Sequence, residues 1–395
     1  MHVSISPSYR IGSLSLIVAF FAMGGTAWAI DPPSISTATI AGGSINLVGA
    51  GFGTKPQAAP HHFEDFDSRT PGALPATFGY VNYGGFGGVT SVDNAVSYSG
   101  GSALRHQPHS GAVSGSDVDE SFPHIAVRGF SSTELYLSYR LKFKTNMGSR
   151  IAQLKFNRSG MEVANSHGGP CYGSRPKFRS SYYPNGPSVN RYSADKTLAF
   201  LQGGIETDDV PVVIDEGWVG EKFPGPAQVI LEDTWVQVEE YYRLNDIGQS
   251  NGEHVTYVNG HRNFDHHQLL LRHDASKVIN CSYLVIGMDY WINSPRTNPN
   301  QINAPTVWYD DHYLDTSRAR VVLANAATWT AATIRTPQPA TLWQTGKITA
   351  QLKRAGFAKG SDAWLYVVRA DGSTSAGQKI RLDRRGAPWL IELLD

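Results

Sequence analysis

Eight polar side chains share one alternating pattern and could together handle a charged polymer. In residues 135–144, 151–156 and 235–244 apolar and polar positions alternate. In a strand that period places Arg140, Lys142, Gln153, Lys155, Gln237, Glu239, Tyr241 and Arg243 opposite the apolar set. Arginine and lysine pair well with carboxylates, so such a face suits a polysaccharide, in particular an acidic one. The same groups suit β-elimination. That reaction needs a base for the proton α to a uronate carboxylate, with cationic or amide groups to stabilise the enolate-like intermediate. Tyr241, Lys155 and Arg243, with His167 from a nearby loop, are the expected catalytic groups. Arg140, Lys142, Gln153, Gln237 and Glu239 are expected to bind substrate. The plainer alternative is a solvated sheet face, which antiparallel sheets often carry.

Other chemistries lack their residues. Glycoside hydrolysis needs two carboxylates about 5–9 Å apart across the scissile bond. Glu239 and Glu240 are adjacent on a strand and point to opposite faces, while Asp215-Glu216 lies in an expected loop. His61-His62 and His266-His267 are likewise adjacent pairs, a poor arrangement for one metal ion. The zinc-protease, serine-hydrolase and phosphate-loop patterns H-E-x-x-H, G-x-S-x-G and G-x-x-x-x-G-K-[ST] do not occur. Lysine plus arginine balance aspartate plus glutamate at 34 each, so no net field draws the chain to nucleic acid or anionic lipid.

The elements that must position these residues are strands. Helical periodicity is scarce, while 40 glycines and 43 aromatic residues (18 Tyr, 16 Phe, 9 Trp) suit short strands joined by tight turns. Further strands are expected over 44–56, where one strand enters a Gly-rich corner, and near 254–258, 283–288, 307–309, 320–323, 340–343, 347–352 and 363–368, with a hairpin turn at Asn259-Gly260. Two packed antiparallel sheets follow. Residues 165–225 are read as ordered loops with one strand at 198–201.

Residues 1–29 have the parts of a cleavable export signal: Arg10, an apolar run over 14–23 and an A-x-A site at Ala27-Trp28-Ala29. That run is too short to span a bilayer comfortably, and no later stretch has 18 uninterrupted apolar residues, so no membrane insertion is expected. In an oxidising compartment Cys171 and Cys281 can form a disulfide, stabilising by about 4 kcal/mol if the geometry allows. Their spacing makes no zinc site.

Two resemblances organise the chain. Gly49–Gly53 (G-x-G-F-G), Pro339…Trp343…Ile348 and Leu365-Tyr366-Val367-Val368…Asp371-Gly372 resemble the IPT/TIG immunoglobulin-like family. They imply a discontinuous Ig-like β-sandwich from residues 30–58 plus 319–395. Phe63-Glu64-Asp65-Phe66, Trp235–Glu239, Tyr257-Val258-Asn259-Gly260 and Trp308-Tyr309-Asp310-Asp311 resemble the concanavalin A-like lectin/glucanase jelly roll, shared by lectins, glucanases and polysaccharide lyases. That implies an inserted jelly roll over 59–318 and an all-β protein overall. The glucanase E-x-D-x-x-E and alginate-lyase R-x-E-x-R and Q-[IV]-H signatures are missing, with Lys155 standing where the histidine would be. If the jelly roll's first and last strands are neighbours, Glu64, Asp65, Asp310 and Asp311, with Asp315 nearby, converge and can hold a structural Ca²⁺. The expectation is therefore a secreted or periplasmic protein that binds, and as an enzyme would cleave by elimination, a polysaccharide. No organic cofactor is expected. The alternative is an adhesion or matrix protein without activity; oligomeric state is not indicated.

Overall fold

The computed structural model describes residues 31–72, 79–82, 89–107, 123–144, 154–160, 177–184, 199–206, 233–287 and 306–382. Their strands, in chain order, are β1 Ser34–Ala41, β2 Ser44–Ala50, β3 His62–Glu64, β4 Gly79–Asn82, β5 Val89–Asp93, β6 Ala103–Gln107, β7 Pro123–Val127 and β8 Glu134–Lys144. There follow β9 Leu154–Gly160, β10 Lys177–Pro184, β11 Ala199–Glu206, β12 Val236–Arg243, β13 Gly252–Val258, β14 His261–Leu269, β15 Cys281–Gly287 and β16 Thr306–Asp315. The last are β17 Arg320–Ala324, β18 Arg335–Gln338, β19 Ala340–Gln344, β20 Lys347–Gln351, β21 Asp362–Val368 and β22 Gln378–Arg381. The fold is all-β, as the alternation implies; one 3-10 turn, Trp329–Ala331, is the only helical piece among the described residues.

The larger sandwich pairs a six-stranded sheet, ordered β11-β10-β9-β15-β7-β4, with an eight-stranded sheet, ordered β14-β13-β12-β8-β16-β6-β5, in which β3 also pairs with β16. Alternation explains the core between them. Leu137, Tyr139, Leu141 and Phe143 of β8 and Val236, Val238 and Tyr242 of β12 meet Ile125, Phe156 and Leu284 from the facing sheet. Residues 165–225, expected as loops with one strand, contain β10 as well as β11. The polar alternation of Arg179, Ser181 and Tyr183 hides β10 from an apolar pattern search.

Strands from both ends of the chain make the remaining two sheets, β1-β2-β20-β19 and β18-β17-β21-β22. Ile45, Leu47, Phe52, Val321, Leu323, Ile348, Leu365 and Val367 pack between them. The Gly49 corner leaves no room for a side chain, since a Cβ there would lie 1.9 Å from the Ser34 carbonyl oxygen. At the β13–β14 turn Asn259 and Gly260 both have positive φ, 47° and 73°, as a two-residue hairpin of this hand requires. A Cβ on Gly260 would also meet the Ala332 carbonyl oxygen at 2.0 Å, so this turn sits directly against the C-terminal strands' connection.

Candidate functional site

The polar face of β8 and β12 has the side-chain directions the alternation predicts, yet it is not an open cleft. Tyr136, Ser138 and Arg140 lie opposite Tyr241, Glu239 and Gln237 in register. Arg140, Gln237, Glu239 and Tyr241 are all buried. The cover is the C-terminal sandwich. Gln237 Oε1 accepts a bond from the Arg335 amide at 2.8 Å, and Arg140 donates to Thr336 Oγ1 at 3.1 Å. The Glu239 carboxylate accepts from Tyr136 at 2.8 Å and from Arg320 at 3.3 Å, with Arg335 Nη1 at 3.9 Å. Arg140, Gln237 and Glu239 therefore tie two sandwiches together, where an exposed substrate-binding row was expected.

The neighbouring expectations differ for similar reasons. Lys142 is paired with Asp233 at 2.8 Å, and Arg243 with Glu253 and the Asn251 carbonyl, both at 2.7 Å. Burial pushes the Tyr241 phenol well above its ordinary pKa, and the Glu134 and Glu253 carboxylates add to the rise. A phenol held that firmly neutral is a poor general base. Gln153 and His167 lie outside the described residues. Glu240 points the other way from Glu239, into the core, where Tyr139 and Asn157 donate to it at 3.0 and 2.9 Å.

The five carboxylates at the start and end of the larger sandwich do approach one another through the β3–β16 pairing, but they do not form an oxygen cage. Glu64 is held by Arg69 and the Phe66 amide, Asp65 by Lys353 at 2.6 Å, and Asp315 by Lys55 at 2.5 Å. Asp310 accepts from the Tyr98 and Asp311 amides at 2.8 Å each, and Asp311 lies 3.9 Å from Arg140. Among the described residues no group of three or more His, Cys, Asp or Glu is arranged to hold a metal ion. Ca²⁺ takes six to eight oxygens, so a set divided among separate cations does not fit it.

Asp310 and Asp311 instead form a buried acid pair. Burial first, and their mutual repulsion second, raise Asp310 to about 8; burial raises Asp311 to about 7, with Asp65 and Asp67 adding to it against Arg140. The folded state thus binds protons more tightly than unfolded aspartates do, and stability falls as pH rises through this range. Two histidines act in the opposite sense at lower pH. Burial depresses His62 to about 4 and His312 well below its ordinary value, so their contribution grows until the unfolded histidines have titrated near pH 6.5. Above about pH 6.5 the two histidines are neutral in both states, so they add no slope where the acid pair titrates, up to about pH 8. Calorimetry in the presence of a chelator should show the melting temperature falling across that window, a loss of order 2 kcal/mol. Asp310→Asn should remove most of the slope, and an unchanged slope would place the titration elsewhere.

The six-stranded sheet carries a different row. On β9 and β15, Asn157 lies opposite Leu284 and Ser159 opposite Ser282. These residues are buried in the core, with Ser159 and Ser282 hydrogen-bonded at 2.8 Å. A third row lies between these two pairings. It runs Arg179–Arg158–Tyr283 across β10, β9 and β15, with Arg158 in register with both neighbours. Ser181, two residues from Arg179, is paired with Lys155 beyond a bulge. Arg179 lies on a strand without an apolar row, and Tyr283 opens the run Tyr283-Leu284-Val285-Ile286, so an apolar pattern marks neither.

Cys281, fully buried, is disulfide-bonded, and the chain's one other cysteine, Cys171, lies outside the described residues. No helix among the described residues is long and apolar enough to cross a membrane.

No family model matches the sequence, and no curated protein matches it. Solved structures do. An endo-beta-1,4-glucuronan lyase from the fungus Trichoderma reesei is similar at a TM-score of 0.46 and 12% identity, over 65% of this chain and 96% of that one. The alginate lyase Aly36B is similar at a TM-score of 0.42 and 16% identity, over 66% of this chain and 97% of that one. The carbohydrate recognition domain of Emp47p is similar at 0.38 and 12%, over 67% and 99%.

Proposed function

We propose that this protein is exported and binds an acidic polysaccharide across the outer face of its six-stranded sheet. The observation that carries the reading is Arg158 in direct register with Arg179, two like charges that a row of uronate carboxylates would bridge. Lys155 extends the same face. The polar face of β8 and β12 is taken up by the C-terminal strands.

Tyr283, in register with Arg158, favours a second reading, eliminative cleavage on the same face. The arginine would neutralise the uronate carboxylate and so acidify the adjacent carbon. The phenol, as phenolate, would take that carbon's proton; the electron pair left behind would form the carbon–carbon double bond as the bond to the glycosidic oxygen breaks, and the departing oxygen would take the proton back from the phenol. The sugar left at the new end carries a carbon–carbon double bond.

The test is incubation of the full-length chain with alginate, glucuronan and polygalacturonate, following retention in affinity electrophoresis and the ultraviolet absorbance of unsaturated products together. Retention by at least one acidic glycan supports binding, and rising absorbance adds cleavage. Retention by neutral glycans alone, or by none, would overturn the proposal. Export predicts a mature chain beginning at Ile30, which N-terminal sequencing of secreted material reads directly.

A further inference from the structure

Lys55 and Asp315 meet where the chain enters and leaves the larger sandwich, Lys55 between β2 and β3 and Asp315 at the end of β16. Both side chains are shut off from water, 1% and 3% exposed, with Nζ 2.5 Å from Oδ2. The amine also donates to the Ala58 carbonyl at 3.0 Å and lies 5.6 Å from the centre of the Trp343 ring. The Tyr313 phenol, itself buried, donates to the same Asp315 oxygen at 2.9 Å. Other lysine–carboxylate pairs stay wetter: Lys353–Asp65 is 28% and 17% exposed, and Lys142–Asp233 17% and 56%. Burial lowers the pKa of Lys55 and raises that of Asp315, each against the pull of the other. Both shifts favour a neutral amine beside a neutral acid over the ion pair.

An amine held against a carboxylic acid with water excluded has what condensation needs. Fixed contact acts as an effective concentration on the order of 10⁵ M or more, which favours the amide over its hydrolysis. We propose that Lys55 and Asp315 join in an intramolecular isopeptide bond, from Nζ to Cγ. A proton passes from Nζ to Oδ2 across the existing contact, and the lone pair left on nitrogen adds to Cγ. The carbonyl electrons move onto Oδ1 and return as the bond from Cγ to Oδ2 breaks. Oδ2 already carries one proton, takes a second from Tyr313 and leaves as water. The proton that nitrogen sheds restores the phenol. One amide forms, one water leaves, and the balance needs no further reactant. The buried arginine–carboxylate pairs at the same junction cannot follow this course, since a guanidinium keeps its proton. The bond closes a ring running from Lys55 to Asp315 and fastens the larger sandwich where its two ends meet. It is independent of glycan binding on the six-stranded sheet.

The readout is the intact mass of the full-length chain as isolated, measured after denaturation. It should be one water lighter than the sequence from its observed N-terminus requires, apart from the two hydrogens lost to the disulfide. Peptide mapping after reduction should recover the segments around Lys55 and Asp315 as one branched peptide. Lys55→Arg and Asp315→Ala should each restore the missing water and lower the melting temperature. Tyr313→Phe keeps both reacting groups, and its bridged fraction should build up at least about tenfold more slowly after synthesis. A parent chain that retains the water would overturn the proposal without recourse to any variant. So would a water loss that persists in Lys55→Arg, such as a cyclic imide at Asp371-Gly372. Bridging of Tyr313→Phe at the parent rate would overturn the proton relay as written.

Discussion

Arg158→Gln is expected to weaken retention by an acidic glycan by roughly 10- to 100-fold, the worth of one charge-assisted hydrogen bond to a carboxylate. The effect should exceed that of an isolated surface cation, because Arg158 lies at the centre of the row with Arg179 on one side and Tyr283 on the other. Arg158→Lys should recover part of the binding, since it keeps the charge but loses the planar fork. Arg158→Gln removes one of two like charges in register, so its unliganded form should melt no lower than the parent. Loss of binding without loss of stability is the signature that separates a ligand site from a structural residue. If cleavage occurs, Tyr283→Phe should retain binding while slowing product formation by about 10²- to 10⁴-fold, the usual contribution of a general acid or base. Tyr241→Phe should leave both unchanged, because that phenol faces away from the six-stranded sheet. Wild-type retention in Arg158→Gln would remove the six-stranded sheet from consideration.

The second large effect belongs to stability. Glu239→Ala should destabilise the protein by about 3–5 kcal/mol, because it strands buried arginines that, among the described residues, have no other carboxylate within ion-pair distance. Arg320 and Arg335 are 4% and 2% exposed, and Glu239 is the anion between them. Tyr136 loses its acceptor at the same time. Glu239→Gln should cost less, since an amide oxygen can still accept from Tyr136 and only the charge is lost. For a chain of this size the alanine variant should melt roughly 10 °C lower by calorimetry. A melting temperature within about 1 °C of the parent would show that the arginines are hydrated rather than buried at this junction.

The polar face of β12 shows how far a sequence reading reaches. Alternation correctly separates Val236, Val238 and Tyr242, which enter the core, from Gln237, Glu239 and Tyr241, which do not. It also separates Glu239 from its neighbour Glu240. What lies above the second face is outside its scope, since solvent, ligand and another sheet all accept a polar row. Here the answer is Arg320, Thr336 and Arg335, about 80 to 200 residues away in the chain. The arginine row on the six-stranded sheet was hidden for a related reason. Arg158, Arg179 and Tyr283 are remote in sequence, and only the register of β10, β9 and β15, bulges included, sets them side by side.

By itself, then, the sequence determined the all-β class, most strand positions, the Asn259-Gly260 turn and the partition of each strand into two faces. These follow from φ/ψ preferences and a two-residue period, which are local. Strand pairing decided which polar face is covered and which acids are neutralised by which bases. It also decided where two arginines meet. Those outcomes depend on hydrogen-bond register and on burial between segments hundreds of residues apart, as when β2 pairs with β20, and no local period encodes them.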